Sequence, residues 1–487
     1  MIATAVELAE ALERNRSSRP DALAVADGEM ALSWEDLGEA VAATATALAR
    51  WRAEPGATVV LALPSSSSWA VAFLACRAAG FAVASAGAPR SRADLRGLCL
   101  ETGAAGIVGT GPTSRWVRSV AAELGAAHLC LGAPDGAARP SGPPVQRPLQ
   151  PGVAALHFTS GSTGERKAVP RSEASLVNEG QAIAQVLGPS AGPILIVSPV
   201  FHSFGAGLLS AALVSAAPAV LLPRYSLGGV LEAIAAHGVA IVVAVPYVFQ
   251  CLTRIGWSRR HEVGSVRLGI AGGTPLHEEV GDRFRERFGA TLAQEYGLSE
   301  VGVVSLNVDD PDGRPWSVGR ALPGLEVSSA PHPGARGEDG DGEVVVHCGP
   351  DRELGAVASE PIPTGDVGRV DSAGFLRISG RIKHMVNVGG VKVAPHDVER
   401  RLLDGGEMED VAVVAVPDPL LGERVAAAVV PRAGTGLTRG DFHAHCSRAL
   451  APHEIPRRVL WLDSLPRLQS GKPDLQAIRR QLASSTR

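Results

Sequence analysis

Short, fully apolar runs alternate with helix-length stretches through the first third of the chain, and this rhythm restricts the fold more than any other feature. Ala57 to Leu63 reads ATVVLAL, Ser65 to Ser68 offer helix N-caps, Trp69 to Ala79 is helical, and Gly80 is its stop. Phe81 to Ser85 can be the next strand, and the pattern recurs more weakly at Ile107-Val108 and His128 to Leu131. A strand that is apolar on both faces needs cover on both faces, so this is βαβ rhythm and predicts a parallel sheet with helices on its faces. Apolar runs resume after Val153, with ILIVS (194–198) and VAIVVAV (239–245) as buried strands. Past about Gly313 the chain turns rich in Gly and charge, with shorter β-like runs such as GEVVVH and GFLRISG. The last hundred residues differ again. PHDVERRLLD (395–404) reads as a helix, VAVVAV (411–416) and VAAAVV (425–430) as strands, and a helix follows near Phe442. The expected architecture is α/β and α+β: a large N-terminal domain of sheets with flanking helices, then a small α+β domain, with the boundary near Arg381.

Several classes drop out on composition. Lys plus Arg is 46 and Asp plus Glu is 50, a net charge of -4, which argues against a nucleic-acid coat or a polybasic membrane binder. The six cysteines are far apart and none has CxxC spacing, so neither a disulfide framework nor a zinc ribbon is expected; Cys130, in HLCL, reads as a small core residue. The first residues, MIATAVELAEALERNR, have helical periodicity and lack the basic start and apolar middle of a signal peptide. Ser203 to Pro223 is uncharged and long enough to span a membrane. Its Ala, Ser and Gly content and Pro218 favour a buried helix followed by a strand, AVLL. The expectation is a cytoplasmic protein with no membrane span. Gly132 to Pro151, rich in Pro, reads as a surface connection.

Of the 46 basic residues only four are lysine: Lys167, Lys383, Lys392 and Lys472. A compact ammonium is not replaceable by a planar guanidinium where it must touch a phosphate or reach a reacting carboxylate. Lys167 ends the segment Thr159-Ser160-Gly161-Ser162-Thr163-Gly164-Glu165-Arg166-Lys167, which follows the strand-like VAALHF. Glycines let backbone amides turn toward an anion, hydroxyls donate hydrogen bonds, and lysine supplies charge, so the segment suits a phosphate-binding loop. It is not GxxxxGK[ST]. As composition alone it is also a Ser/Gly turn.

TSGSTGERK closely resembles the signature loop of the adenylate-forming superfamily, which includes acyl-CoA synthetases, peptide adenylation domains and luciferases. Five more segments match in family order: PVFHSFG (199–205), AGGTPL (271–276), QEYGLSE (294–300), PTGDVGRV (363–370) with GRIKHMVNVGGVKV (380–393), and PRLQSGKPD (466–474). The resemblance covers essentially the whole chain. It implies two half-reactions in one site. A carboxylate attacks the α-phosphate of ATP to give an acyl-adenylate and pyrophosphate, and a second nucleophile then displaces AMP. The usual nucleophile is the thiol of coenzyme A or of a carrier-protein phosphopantetheine. Carboxylate and triphosphate repel each other, so cations must bring them together, and Mg²⁺ and lysine are the usual means.

By this resemblance Thr159, Ser160, Gly161, Ser162, Thr163, Gly164 and Lys167 hold the β- and γ-phosphates. Glu295, Tyr296 and Gly297 belong to the ATP/AMP-binding set, Tyr296 stacking on adenine, and Gly272, Gly273 and Thr274 form the wall of that slot. Ser299 hydrogen-bonds the α-phosphate, and Glu300 holds Mg²⁺ with Thr163. Asp366, assisted by Arg381, accepts from the ribose hydroxyls. Lys472 touches both the substrate carboxylate and the α-phosphate. His202 lies beside the acyl pocket and gates thiol access. Taken singly, Glu300 reads as a solvated carboxylate, Asp366 as a turn residue and His202 as a core histidine. The resemblance also implies domains at 1–380 and 384–487 with a hinge at 381–383, centred on Lys383. The small domain, carrying the catalytic lysine, is then mobile. Its rotation withdraws Lys472 and presents Gly389 and Gly390 for the thiol step, with Lys392 near the pantetheine tunnel or the CoA phosphates, or simply solvated.

Amino-acid-activating relatives usually place an Asp where Phe201-His202 stands, and no acid occurs between Ser198 and Pro223. A buried ammonium without a counter-charge is costly, so the expected substrate is a small aliphatic or aromatic carboxylic acid rather than an α-amino acid. Phe201, His202, Gly205, Val245, Gly272 and Gly302 are expected to line its pocket, with Gly205, Gly207 and Gly302 leaving room for a chain or ring. A thiol acceptor is the main reading. An amide- or ester-forming synthetase is the first rival. A non-catalytic AMP-binding relative is the second, and the retention of Lys167, Glu300 and Lys472 argues against it.

Overall fold

The computed structural model describes residues 7–132, 137–138, 152–160, 166–189, 191–254, 263–331, 341–349, 360–468 and 471–484. The expected connection from Gly132 to Pro151 lies largely outside them.

Two large sheets dominate. The first orders its strands as Ala137–Ala138, Ala127–Leu131, Gly106–Thr110, Thr58–Ala62, Ala82–Ala84, Val153–Ser160 and Arg166–Ser172. It is parallel except at its two edge pairings. The second runs Arg320–Ala321, Gly302–Leu306, Thr291–Leu298, Leu268–Ala271, Ile241–Ala244, Ile194–Ile196, Ala219–Leu221, Leu23–Ala26 and Ala31–Ser33, again parallel in its centre.

The period of two decides which core each side chain joins. Val59 and Leu61 point into the space shared with Ile194, Ile196 and Val243 of the other sheet, whereas Val60 and Ala62 pack outward with Leu95, Leu98 and Val117. On the far side of the second sheet Leu195 and Val242 meet Phe249 and Phe284. The helices Ser67–Ala78, Glu173–Leu187 and Ser203–Ser215 therefore share the core between the two sheets. This explains the uncharged run after Ser203: a helix with cover all round is apolar all round. The helix ends at Ser215 with Ala216 as a left-handed cap, and Ala219–Leu221 is the strand that follows. Among the described residues no helix is long and apolar enough to cross a membrane.

A four-stranded antiparallel sheet (Leu325–Ala330, Gly342–Cys348, Ile362–Val370, Leu376–Arg381) leads to the smaller C-terminal domain. There Val386–Val388, Val391–Val393, Met408–Asp418, Gly422–Pro431 and Arg458–Trp461 form one sheet. One face packs Val411, Val413 and Val425 on the helices Pro395–Leu403 and Arg439–Ala449. The other packs Val414 and Ala426 on Ile478 and Leu482 of Leu475–Ser484. All six cysteines are free thiols.

Candidate active site

The strands of the second sheet end at a common edge where several singled-out residues converge. Leu268–Ala271 delivers Gly272, Gly273 and Thr274, and Thr291–Leu298 delivers Glu295, Tyr296 and Gly297, with Ser299 and Glu300 just beyond. Tyr296 donates its hydroxyl to Asp366 Oδ2 at 2.7 Å, and Arg381 Nε donates to Asp366 Oδ1 at 2.5 Å. Asp366 and Arg381 are register partners on the last two strands of the four-stranded sheet, so backbone pairing sets their contact. Burial, then the Asp366 charge, raises the Tyr296 phenol far above its usual value, which keeps it a neutral donor.

Lys167 lies on Arg166–Ser172, opposite Thr159 in the ladder, and its ammonium is 3.7 Å from Glu300 Oε1. Both side chains are open to solvent. Thr159 and Ser160 belong to Val153–Ser160 by backbone only, and Gly161, Ser162, Thr163 and Gly164 lie outside the described residues.

Lys472 arrives from the small domain. Leu468 N–H donates to Lys472 O at 2.8 Å and Gly471 N–H to Leu468 O at 2.9 Å, forming a tight turn in which Gly471 takes φ +79°. Arg467 holds this turn in place: it caps Gly471 O at 2.8 Å, pairs with Asp410, and lies 4.1 Å over the Tyr247 ring of the large domain. The Lys472 ammonium then stands at Gly273, 3.6 Å from where a Cβ there would be, and Gly471 abuts Val245. Lys472 has exposed surface, yet its crowded ammonium is shifted below the ordinary lysine value by desolvation first and by Arg381 second. Burial and Lys472 pull His202 down to about 4, so this imidazole is neutral at pH 7. His202 is the N-cap of Ser203–Ser215, with its ring 4.8 Å from that of Phe201.

The room expected over the pocket glycines is occupied. A Cβ on Gly205 would strike the carbonyls of Ser198 and Pro199, and one on Gly207 or Gly302 would overlap the Glu179 carboxylate. Gly272 is overhung by Glu295 and by Phe204. The reason for the correction is tertiary. Gly180 lets Glu173–Leu187 sit directly on the Ser210–Ala211 backbone, which drives Glu179 between Gly207 and Gly302. Glu179 is fully buried, paired with Arg171 at 2.9 Å, and accepts from Val303 N–H at 2.8 Å. Phe201 faces a separate apolar cavity with Trp69, Phe73, Leu176, Leu209 and His157. His157 Nδ1 is 3.3 Å from Phe201 O, and its Nε2 has no partner among the described residues. No motif marks Glu179, Arg171 or His157; the opposing positions of Ala155 and Arg171 put Arg171 and His157 on one face of the ladder.

Gly389 and Gly390 form the turn between Val386–Val388 and Val391–Val393 and are exposed. They bond to Leu421 O and Asn387 Oδ1, away from the Lys472 group. Lys392 is opposite Asn387 in that hairpin, and Lys383 is exposed in the short turn Ile382–His384.

Comparison with known proteins agrees with this geometry. Residues 12–350 match the AMP-binding enzyme family and residues 397–472 the AMP-binding enzyme C-terminal domain. The salicyl-AMP ligase / salicyl-S-ArCP synthetase of Mycobacterium tuberculosis is 30% identical over 96% of this chain and 89% of its own length. A feruloyl-CoA synthase from Amycolatopsis sp is 28% identical over 96% and 97%. The crystal structure of ATP-bound MatB from Rhodopseudomonas palustris superposes with a TM-score of 0.84 at 22% identity, over 98% of this chain and 100% of that one. With both of its domains matched in order, the chain belongs to the AMP-binding enzyme family, the adenylate-forming enzymes.

Proposed function

We propose that the protein activates a small aliphatic or aromatic carboxylic acid with ATP, releasing pyrophosphate, and passes the acyl group to the thiol of coenzyme A or of a carrier-protein phosphopantetheine. The observation that carries this reading is the seating of Lys472 at Gly273, beside the Tyr296–Asp366–Arg381 group and on the edge that also bears Glu300. One ammonium there can reach the acid carboxylate and the α-phosphate together, offsetting their repulsion as the bond forms.

Tyr296 offers a flat face to adenine, beside the Gly272–Thr274 wall. Asp366 is already oriented by two donors to accept from ribose hydroxyls. Ser299 faces the α-phosphate, and the 159–167 segment with Lys167 takes the terminal phosphates. Glu300, half-exposed with a single ammonium nearby, fits a hard cation such as Mg²⁺, with Thr163 as second ligand. That ion, when bound, would neutralise charge on the phosphates. Neutral His202 borders the acid and the thiol path. Thiol transfer needs the small domain to turn about Lys383, so that Gly389, Gly390 and Lys392 replace Lys472 at the site. The test is ATP–pyrophosphate exchange against a panel of acids, followed by product analysis with and without coenzyme A. No exchange with any acid refutes the first half. Exchange without a thioester, but with an amide or ester when an amine or alcohol is supplied, refutes the second.

A further inference from the structure

Glu295 is 6% exposed; its backbone pairs with Leu306 in the ladder, but among the described residues its carboxyl has no hydrogen-bond or ion-pair partner. The absence is not for want of polar neighbours. Lys472 stands on one side, close enough to feel its charge and too far to pair, and the Glu179 carboxylate lies on the other. Glu295 Oε2 lies directly over Gly272 beside the Phe204 ring, and Oε1 is 2.5 Å from where a Cβ on Gly297 would be. Glu179, by contrast, is satisfied by Arg171 and by Val303 N–H.

A buried carboxyl without a donor destabilises the free protein and persists where a ligand completes it. Gly272 and Phe204, which Glu295 touches, lie next to Gly273 where the Lys472 ammonium stands, so an acid with its carboxylate at Lys472 has its chain or ring beside Glu295. We infer that Glu295 is the specificity-determining group of the acyl pocket, and that the substrate is a carboxylic acid bearing an N–H or O–H donor that Glu295 receives. This rests on the adenylation reading above. Burial, reinforced by Glu179, pushes Glu295 up to about 8, so at neutral pH it is mainly protonated and presents one acceptor oxygen and one donor. A hydroxyl or neutral amine is accommodated directly. An ammonium displaces the proton to solvent and leaves a buried ion pair. A second carboxylate on the substrate would bring another negative charge beside Glu179, whose charge already helps keep Glu295 protonated, and is disfavoured.

The test measures kcat/KM in ATP–pyrophosphate exchange for matched acids: benzoate against its amino and hydroxy derivatives, and hexanoate against 6-aminohexanoate, 6-hydroxyhexanoate and adipate. The wild type should prefer at least one donor-bearing acid to its parent by tenfold or more, with adipate the poorest of its series. Glu295→Ala should collapse that preference ratio at least tenfold. Glu295→Gln, which keeps an acceptor oxygen but no charge, should retain more of the hydroxy-acid preference than of the amino-acid preference. A wild type that favours the unsubstituted parents overturns the inference, as does a ratio unchanged in the variants. Loss of all exchange in both variants assigns Glu295 to the fold or to the nucleotide side. No exchange by the wild type with any acid instead removes the adenylation reading, and the inference with it.

Discussion

Between the two large sheets, Val59, Leu61, Ile194 and Ile196 meet the apolar faces of three shared helices, whose buried charge is the internally paired Glu179. Between the large and small domains, Arg254 pairs with Glu409, Gln250 Nε2 donates to Glu409 O at 3.1 Å, Arg432 pairs with Glu279 at 2.8 Å, and Arg467 lies over Tyr247. Each buried aliphatic side chain of the first region contributes about 1.5–3 kcal/mol, and such apolar cover does not come apart below unfolding. Each partly exposed ion pair of the second contributes about 0–1 kcal/mol and is screened by salt. The first region is therefore the rigid part of the molecule. If Lys472 is the adenylation lysine, such a seam can hold it at Gly273 and still let it go.

The sharpest break is at Lys472. Lys472→Ala should slow adenylate formation on the order of a thousandfold, the scale of losing one preorganised charge contact, while thioester formation from a supplied acyl-adenylate survives. Equal loss of both steps would mean that Lys472 serves both orientations. Next comes the core. Leu61→Ala should lower global stability by about 3 kcal/mol, read as a shift of the urea midpoint, because the surrounding helices cannot collapse into the gap. A shift below about 1 kcal/mol would show that this interior is less tightly packed than its burial indicates.

Lys383→Pro should spare pyrophosphate exchange and reduce thioester formation about tenfold, because proline fixes φ near -65° in the turn Ile382–His384. If both rates fall together the substitution has damaged the fold, and if neither falls the rotation occurs elsewhere. The smallest effects belong to the seam itself. Glu409→Ala or Arg432→Ala should change docking by about 1 kcal/mol or less, visible as a more extended particle in small-angle scattering and suppressed at high salt.

Acid should act in the same direction. His277 faces His396, with Glu399 and Glu279 nearby, and burial followed by His396 lowers it from 6.5 to about 4. Its contribution to docking is therefore complete above about pH 6.5 and is lost as pH falls through that interval toward 4. Scattering at pH 7.5 and 5.5 should show more open particles at the lower pH, and His277→Gln should flatten that difference.

Much of the scaffold was legible because its strands are apolar on both faces. ATVVLAL, VAIVVAV and VAAAVV each fall on a buried strand of the structure, Thr58–Ala62, Ile241–Ala244 and Gly422–Pro431. The Tyr296–Asp366–Arg381 group was legible because the motifs picked out each residue one by one, and the structure brings them into contact. The surroundings of the pocket glycines were not. No motif singles out Glu179, and only the close crossing at Gly180 buries that glutamate. Counting acids between Ser198 and Pro223 also missed Glu179 and Glu295, which the fold imports from other segments.

The Arg171–Glu179 pair constrains how this pocket can change through time or in the laboratory. Clearing Glu179 alone would open the space above Gly207 and Gly302, but it would strand a buried guanidinium at a cost of about 3–5 kcal/mol. Exchanging both residues for apolar ones of similar volume is often neutral or better. A lineage that lengthens its substrate must therefore cross a destabilised intermediate or alter two codons together. A designer of deeper pockets on this scaffold should treat Arg171 and Glu179 as one replaceable part.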